Sequence, residues 1–463
     1  RVVGTFHPAG EEECRITAEW KAIEGSKYFE SPLLYKENGF KKEESAQTLI
    51  AELKGQEALI DSVETGTQKK RAPLLFNLAE LQAECSKRFK ISPDETLRIV
   101  QELYEKKLVT YPRTDARVLS TAVAKEIHKN LNGLMQYEPA KPYLQDIVKF
   151  GSHKGLEKTR YVNDKQITDH YAIIPTGQGM GALKGLPNLS QRVYDVIVRR
   201  FLSIFYPPAV YQKVSIVTKI KEESFFSSFK VLAEEGYLKV TGVPGRKNDN
   251  TDSSADSTED KDTDAAFFAR IQSFKKGMTL PVQSLDIKEG KTSPPKRYNS
   301  GSLILAMENA GQLIEDEELR AQIKGSGIGT SATRGEILKK LFNNKYLALN
   351  KKTQIVTPTM LGEMIYDVVD HSIRPLLNPE LTASWELGLT MVADGKITEE
   401  EYMMKLNSFI TNHVQNVKSK NYQNLFKPYF DKAAANYKTS KKTAKKTTAK
   451  SGTDNSKTKN KQA

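Results

Sequence analysis

The sequence predicts a multidomain α+β protein in which mainly helical domains are inserted into, or follow, a β-rich domain. Three observations carry this. The chain has 463 residues, which suits roughly two to four domains rather than one. Strand-like alternation occupies both flanks of a long block with helical periodicity. A second run of helical periodicity then follows the returning strands.

Val2 to Phe6 and Cys14 to Trp20 read as strands, Glu44 to Leu53 as a helix, and Leu59 to Thr65 alternates like a half-buried strand. Lys69-Lys70-Arg71-Ala72-Pro73 is the expected basic hinge that closes this first β-rich piece, residues 1–76. From 77 to 211 the pattern is mostly helical. Asn77 is placed to cap a helix to Phe89, with Leu78, Leu81, Cys85 and Phe89 on one face. Ser92, Pro93 and Glu95 start the next helix. Its face of Leu97, Val100, Leu103 and Tyr104 continues to Lys107. Further helices are expected from Ser120 to Leu131 and from Leu189 to Phe205.

Strands resume over 212–290, at Lys213 to Ile220, Phe225 to Ala233, Tyr237 to Val243 and Leu280 to Ile287. Between them Arg246 to Asp264 is rich in Asp, Ser and Thr and nearly free of apolar residues, which predicts a disordered acidic loop. Residues 291–430 read as a second helical domain, with helices from Ser300 to Ala310, Ser331 to Phe342, Met360 to Asp370 and Glu399 to Gln415. The segment 431–463, rich in Lys, Thr, Ser and Asn, is the expected basic disordered tail.

The formal net charge is +13 and the pI about 9.2, which favours a polyanionic partner, nucleic acid before a membrane surface. Cys14 and Cys85 are the only cysteines. That excludes a disulfide framework and a four-cysteine zinc module, and suits a reducing cytoplasm. No apolar run is long enough to span a bilayer. The chain opens at Arg1 on a strand already under way, so a fragment with an upstream N-terminus is expected.

Three stretches carry the chemistry. In Tyr111-Pro112-Arg113-Thr114-Asp115 the proline pushes Tyr111 out of helical geometry, onto a bend at the mouth of the preceding helix. Arg113 has the fork that grips a phosphate. A tyrosine, with a free pKa of about 10, attacks a phosphodiester only beside such positive charge. The plain alternative is a packed loop tyrosine with Arg113 and Asp115 paired on the surface. The second stretch runs from Thr168 to Thr176 and sets His170 before an apolar run, able to contact a phosphate or move a proton to a leaving hydroxyl. The third, Gly325 to Arg334, opens a helix with glycines and hydroxyls, where free N–H groups and Arg334 could receive a phosphate. It lacks the Gly-Lys-Ser/Thr ending of a Walker loop.

Taken in order, Tyr111-Pro112-Arg113-Thr114-Asp115, Asp169 to Thr176 and Gly327 to Arg334 resemble the motifs of type IA DNA topoisomerases. Leu78 to Gln82, Pro294 to Tyr298, Ala310-Gly311 and Asn378 to Glu386 agree, and the zinc-free pattern looks most like the bacterial topoisomerase III branch. The resemblance covers residues 1 to about 420. It implies a toroid core in which residues 1–76 and 212–290 form the β-rich arch and 77–211 the helical domain with the nucleophile. By it, Tyr111 cleaves one DNA strand and keeps the 5′-phosphate, and Arg113 stabilises the scissile phosphate. His170, Thr333 and Arg334 then contact DNA, and Asp115 orients Arg113 or the 3′ side. The partner is DNA, preferably single-stranded, and the localisation cytoplasmic, on a bacterial nucleoid. No ATP or zinc is expected, and Mg2+ enters through a Toprim domain. The glutamate and Asp-x-Asp-x-Glu set of that domain have no counterpart here, the nearest acidic run being Glu259-Asp260-Lys261-Asp262. Ser331 stands where the topoisomerase III motif has proline. The alternatives are a non-catalytic single-stranded-DNA-binding remnant, or a recombinase or relaxase, whose histidine clusters and late tyrosine do not fit Tyr111.

Overall fold

In the computed structural model, the described residues are 1–8, 10, 14–243, 261–262, 265–314, 317, 320 and 327–449. They fall into two compact units. The first comprises 1–74, 137–156 and 198–295; the second comprises 75–136, 157–197 and 296–463. Together they give the mixed helix-and-sheet fold expected from the sequence.

The first unit is built on one sheet. Its strands are β1 (Val2–Phe6), β2 (Ile16–Lys21), β5 (Ala58–Lys70), β6 (Ala209–Ile220), β7 (Glu223–Glu234), β9 (Thr279–Leu280) and β10 (Val282–Ile287), with β3 (Leu34–Lys36) and β4 (Gly39–Phe40) forming a separate hairpin. The order is β10-β1-β2-β7-β6-β5-β9, antiparallel throughout, and β8 (Lys261–Asp262) lies parallel to β7. The N-terminal strands and those after the helical block therefore share one sheet, as the two-flank pattern predicts. The helix Glu43–Leu53 and the helix Ala265–Gln272 supply Leu49, Phe268 and Ile271 to its core.

Trp20 anchors this core. Its indole stacks on Phe40 with centroids 4.9 Å apart and is fully buried. Its Nε1 donates to Glu223 Oε2 at 2.6 Å. Glu223 also accepts from Ser26 Oγ at 2.7 Å and from the Lys27 amide at 3.0 Å. A buried carboxylate is tolerable only with such donors.

Several expectations need correction. Lys69 and Lys70 are not a hinge, because both pair with the start of β6. Tyr237 to Val243 is not a strand: Leu238–Thr241 is a short helix, set by Gly236 at φ +50° and the Tyr237 amide bonded to Pro207 O. Within 77–211 the structure is mostly helical, with helices at Lys141–Phe150 and Asn188–Ser203 among others. Residues 137–156 belong to the sheet-bearing unit, where Asp146 accepts from Tyr206 and Lys239. Most of the expected acidic loop, 246–264, lies outside the described residues.

In the second unit, the helices Leu78–Phe89 and Ser300–Glu308 pack closely enough that a Cβ on Gly301 would stand 2.7 Å from Ala83 Cα. Ser300 Oγ lies 3.0 Å from Ser86 Oγ and bonds Gln354 at 2.9 Å. The expected helix from Ser120 to Leu131 is two, Thr121–Lys125 and Ile127–Leu134. β11 (Leu347–Leu349) and β12 (Val356–Pro358) form a hairpin. The tail predicted as disordered from 431 is helical at first, since a helix spans Gln423–Ala449. Ala433 is buried and the Tyr437 hydroxyl lies 3.1 Å from Glu363 Oε1. Alanine and lysine are good helix formers, and these contacts add tertiary support. No described helix is long and apolar enough to cross a membrane. Both cysteines are buried, and burial pushes the Cys85 thiol up to about 12.

Replacing Glu223 by alanine leaves the Trp20 and Ser26 donors without an acceptor. We expect a loss of about 3 kcal/mol in the unfolding free energy, measurable by urea denaturation followed through tryptophan fluorescence.

Candidate active site

The placement of Tyr111 begins at the end of the helix Pro93–Glu105. Lys107 adopts φ +62°; its amide bonds Tyr104 O at 2.8 Å and the Leu108 amide bonds Leu103 O at 2.9 Å. This is a Schellman ending with lysine where glycine is usual. It turns the chain sharply, and Gly179 at φ +69° fits against the turn: a Cβ there would stand 2.1 Å from Lys106 O. From Leu108 the backbone runs extended beside residues 172–176. Thr110 N donates to Ile174 O at 3.0 Å, Thr176 N to Leu108 O at 3.0 Å, and Val109 bridges Pro175. Tyr111 therefore sits on non-helical backbone, as Pro112 requires.

Two threonines on either side of Tyr111 complete the clamp. Thr110 Oγ1 donates to Ala172 O at 3.0 Å and accepts from the Ile174 amide at 2.9 Å. Thr114 Oγ1 donates to His170 O at 2.7 Å and accepts from the Ala116 amide at 3.1 Å. These bonds carry His170 to the tyrosine: the two ring centroids are 4.4 Å apart. On its other side Tyr111 meets the edge of Tyr104 at 5.4 Å. The phenol lies in a cleft of about 480 Å³ bordered by Tyr104, Lys107, His170, Tyr171 and Gln178.

Arg113 and His170 are exposed. Among the described residues, Arg113 makes no ion pair, so its guanidinium is available to a ligand. The alternative in which Arg113 pairs with Asp115 does not occur. Asp115 pairs with Arg334. Its carboxylate, 38% exposed, accepts from Arg334 at 2.9 Å. Arg334, expected to touch DNA, is only 2% exposed. It starts the helix Arg334–Asn343, and its side chain turns inward to Asp115 with Glu308 at 4.0 Å. Thr333 is exposed just before this helix, and its Oγ1 accepts from the Thr330 amide at 2.9 Å.

Sequence reasoning missed Glu308 and the second role of Asn77. Besides capping its helix through the Glu80 amide at 2.9 Å, Asn77 donates to Asp115 O at 3.1 Å and to Glu308 Oε1 at 2.6 Å. Gly327, at φ +64°, lies so close to the end of the Ser300–Glu308 helix that a Cβ would meet the Met307 and Glu308 carbonyls at 2.5 Å. The Ile328 amide bonds Met307 O at 2.8 Å. The Thr333 segment is thus tied at one end to the helix of Glu308 and at the other, through Arg334, to Asp115. A glutamate at the end of an apolar helix gives no sequence signal for this role.

The residues present do not fit the family's magnesium. Among the described residues no three His, Cys, Asp or Glu side chains gather to hold a metal ion. Asp115 and Glu308 face Arg334 instead.

Residues 14–404 match a family model described as DNA topoisomerase. The chain belongs to the bacterial type IA DNA topoisomerases. Among its relatives, the DNA topoisomerase 3 of Bacillus subtilis is 33% identical over 377 residues, covering 80% of this chain and 48% of the relative. That of Bacillus licheniformis is also 33% identical, covering 81% and 49%. The chain thus spans about half the length of the curated relatives it matches. Full-length topoisomerase I from Thermotoga maritima shares the fold, with a TM-score of 0.58 at 21% identity, over 89% of this chain and 58% of that one.

Burial raises the Glu308 carboxyl above its ordinary value, with Arg334 opposing the shift. The folded state then holds this proton more tightly than the unfolded chain. Its stability contribution is fullest below the ordinary value of 4.5 and declines as pH rises through the raised folded value. Glu308→Gln removes the titration. The difference in unfolding free energy between wild type and variant should shift against wild type from about pH 4 to about pH 7, as read by urea melts across that range.

Proposed function

We propose that this chain carries the nucleophile half of an ATP-independent topoisomerase of the topoisomerase III kind. The phenolic oxygen of Tyr111 attacks a phosphorus in single-stranded DNA, and the bond from phosphorus to the 3′ oxygen breaks. Tyr111 is left esterified to the 5′-phosphate. The phenol's proton is given up, and the departing 3′ oxygen takes one to become a free hydroxyl. Arg113 grips the non-bridging oxygens and stabilises their extra charge. His170 and Thr333 contact the backbone near the break, and Asp115 and Arg334 hold the Thr333 segment in register with the tyrosine. The ester conserves the energy of the broken bond, so attack by the 3′-hydroxyl reseals the strand after another has passed. In the complete enzyme, a toroid in this reading, the cycle relaxes negative supercoils or unlinks strands.

The observation that carries this reading is the surroundings of Tyr111. It is clamped on extended backbone in an open cleft, its ring lies against His170, and two residues on stands an exposed Arg113 that makes no ion pair among the described residues. The charge of +13 supports a nucleic-acid partner whose affinity falls steeply with salt. The metal-binding carboxylates of the family are proposed to lie outside this sequence.

The test traps the adduct. Protein expressed from the whole open reading frame is mixed with 3′-end-labelled single-stranded DNA and denatured. The label should remain on the protein, linked through the 5′-phosphate. Tyr111→Phe should abolish the adduct while keeping DNA affinity within about twofold, and Arg113→Ala should slow its formation about 100-fold. An adduct that persists in Tyr111→Phe, or that carries a 3′-phosphate, would overturn the assignment.

A further inference from the structure

The cleft at Tyr111 holds more than the phosphate chemistry uses. Neither Arg113 nor Asp115 lines it, although both flank the nucleophile in sequence. Its walls are aromatic: Tyr104, Tyr111 and Tyr171, with His170. Charge in the lining is balanced, one lysine (Lys107) against one glutamate (Glu105), which is poor provision for a phosphate. The remaining polar groups include the Gln178 amide, able both to donate and to accept. Tyr104 is also anomalous on its own helix. Val100 and Leu103 are fully buried there, while Tyr104 keeps 38% of its surface exposed and turns its ring at 79° to that of Tyr111. Burial pushes the Tyr171 hydroxyl up, so that group stays a hydrogen-bond donor at neutral pH.

A flat, uncharged ligand with polar edges satisfies such a cleft, and its volume lies within the range of small-ligand sites. We propose that the cleft is a nucleobase subsite, which takes the base of the nucleotide whose 5′-phosphate joins Tyr111 and stacks it on Tyr104. The inference rests on the reading of Tyr111 as nucleophile. A base in a duplex cannot enter, because its faces and edges are already engaged. The subsite therefore gives this protein a local reason to act on unpaired DNA, separate from its overall charge. Because every base has a π-face, stacking here tolerates all four, while Gln178 and the Tyr171 hydroxyl set any preference.

The test is a cycle between protein and DNA. Tyr111→Phe protein, which keeps the ring, is titrated with single-stranded oligonucleotides carrying one abasic residue at successive positions, and affinity is read by fluorescence anisotropy. At the nucleotide 3′ of the break, the abasic residue should weaken binding about tenfold. Tyr104→Ala, made in the same background, should weaken binding to intact DNA about as much, and the two changes together should cost no more than either alone. Tyr104→Phe should bind like the parent. The subsite is overturned if abasic residues within two nucleotides of the break leave affinity within about twofold, or if the two losses multiply. Adduct formation by the Tyr111-containing protein is measured in parallel on intact DNA. Its absence with the coupling retained would overturn the nucleophile assignment and leave the cleft a base-binding site without that cleavage register.

Discussion

The buried guanidinium of Arg334 is the constraint on which the candidate site depends. It is 2% exposed and faces two carboxylates, Asp115 and Glu308. Charges held this close, with the guanidinium and most of Glu308 out of water, are costly unless they are paired and hydrogen-bonded. They persist because Asn77 bonds both Glu308 and the backbone of Asp115, and because Asp115 keeps part of its surface in water. Segments distant in sequence are thereby held in one arrangement. Thr333 and Tyr111 lie on different segments, yet the arginine beside Thr333 binds the aspartate four residues after Tyr111.

Around this pair several backbone groups are tied down by fixed hydrogen bonds. Leu108 to Ala116 is irregular, but Leu108, Thr110 and Thr114 are bonded to residues 170–176 through backbone and hydroxyl groups, and the Thr114 hydroxyl accepts from the Ala116 amide. The Leu78 amide, at the start of a helix, bonds Thr114 O. An extended segment with this many fixed bonds can present a phenol without relying on the side chain for its own anchoring. Among the described residues Arg113 makes no ion pair and the Tyr111 hydroxyl no hydrogen bond, which leaves both open to a ligand. Rigid support beneath open chemistry is what preorganised phosphate attack requires.

Much of this was legible in the sequence where local rules govern. Asn77 and Ser92 cap the helices they were expected to cap, and Pro112 keeps Tyr111 out of the helix. The strands on both flanks of the helical block share one sheet. Local rules failed where tertiary contacts decide. The alternation from Tyr237 to Val243 resembles a strand, yet Gly236 and the Pro207 carbonyl bend it into a helical turn. At the site, the motif singled out Tyr111, Arg113, His170 and Thr333, whereas the true partner of Asp115 lies 219 residues away. No spacing rule reaches that far. Glu308 was silent for the same reason.

The two cysteines bear on how the protein can be observed. Cys14 and Cys85 are buried, and Cys85 holds its proton far above neutral pH. Thiol reagents attack the thiolate, so the folded chain offers maleimides little to react with. A cysteine introduced on an exposed surface becomes the preferred attachment point without prior removal of the native two. Fluorophores or spin labels can then be placed beside the tyrosine cleft or along the sheet in the otherwise unaltered sequence, and site-specific distances followed as DNA is added.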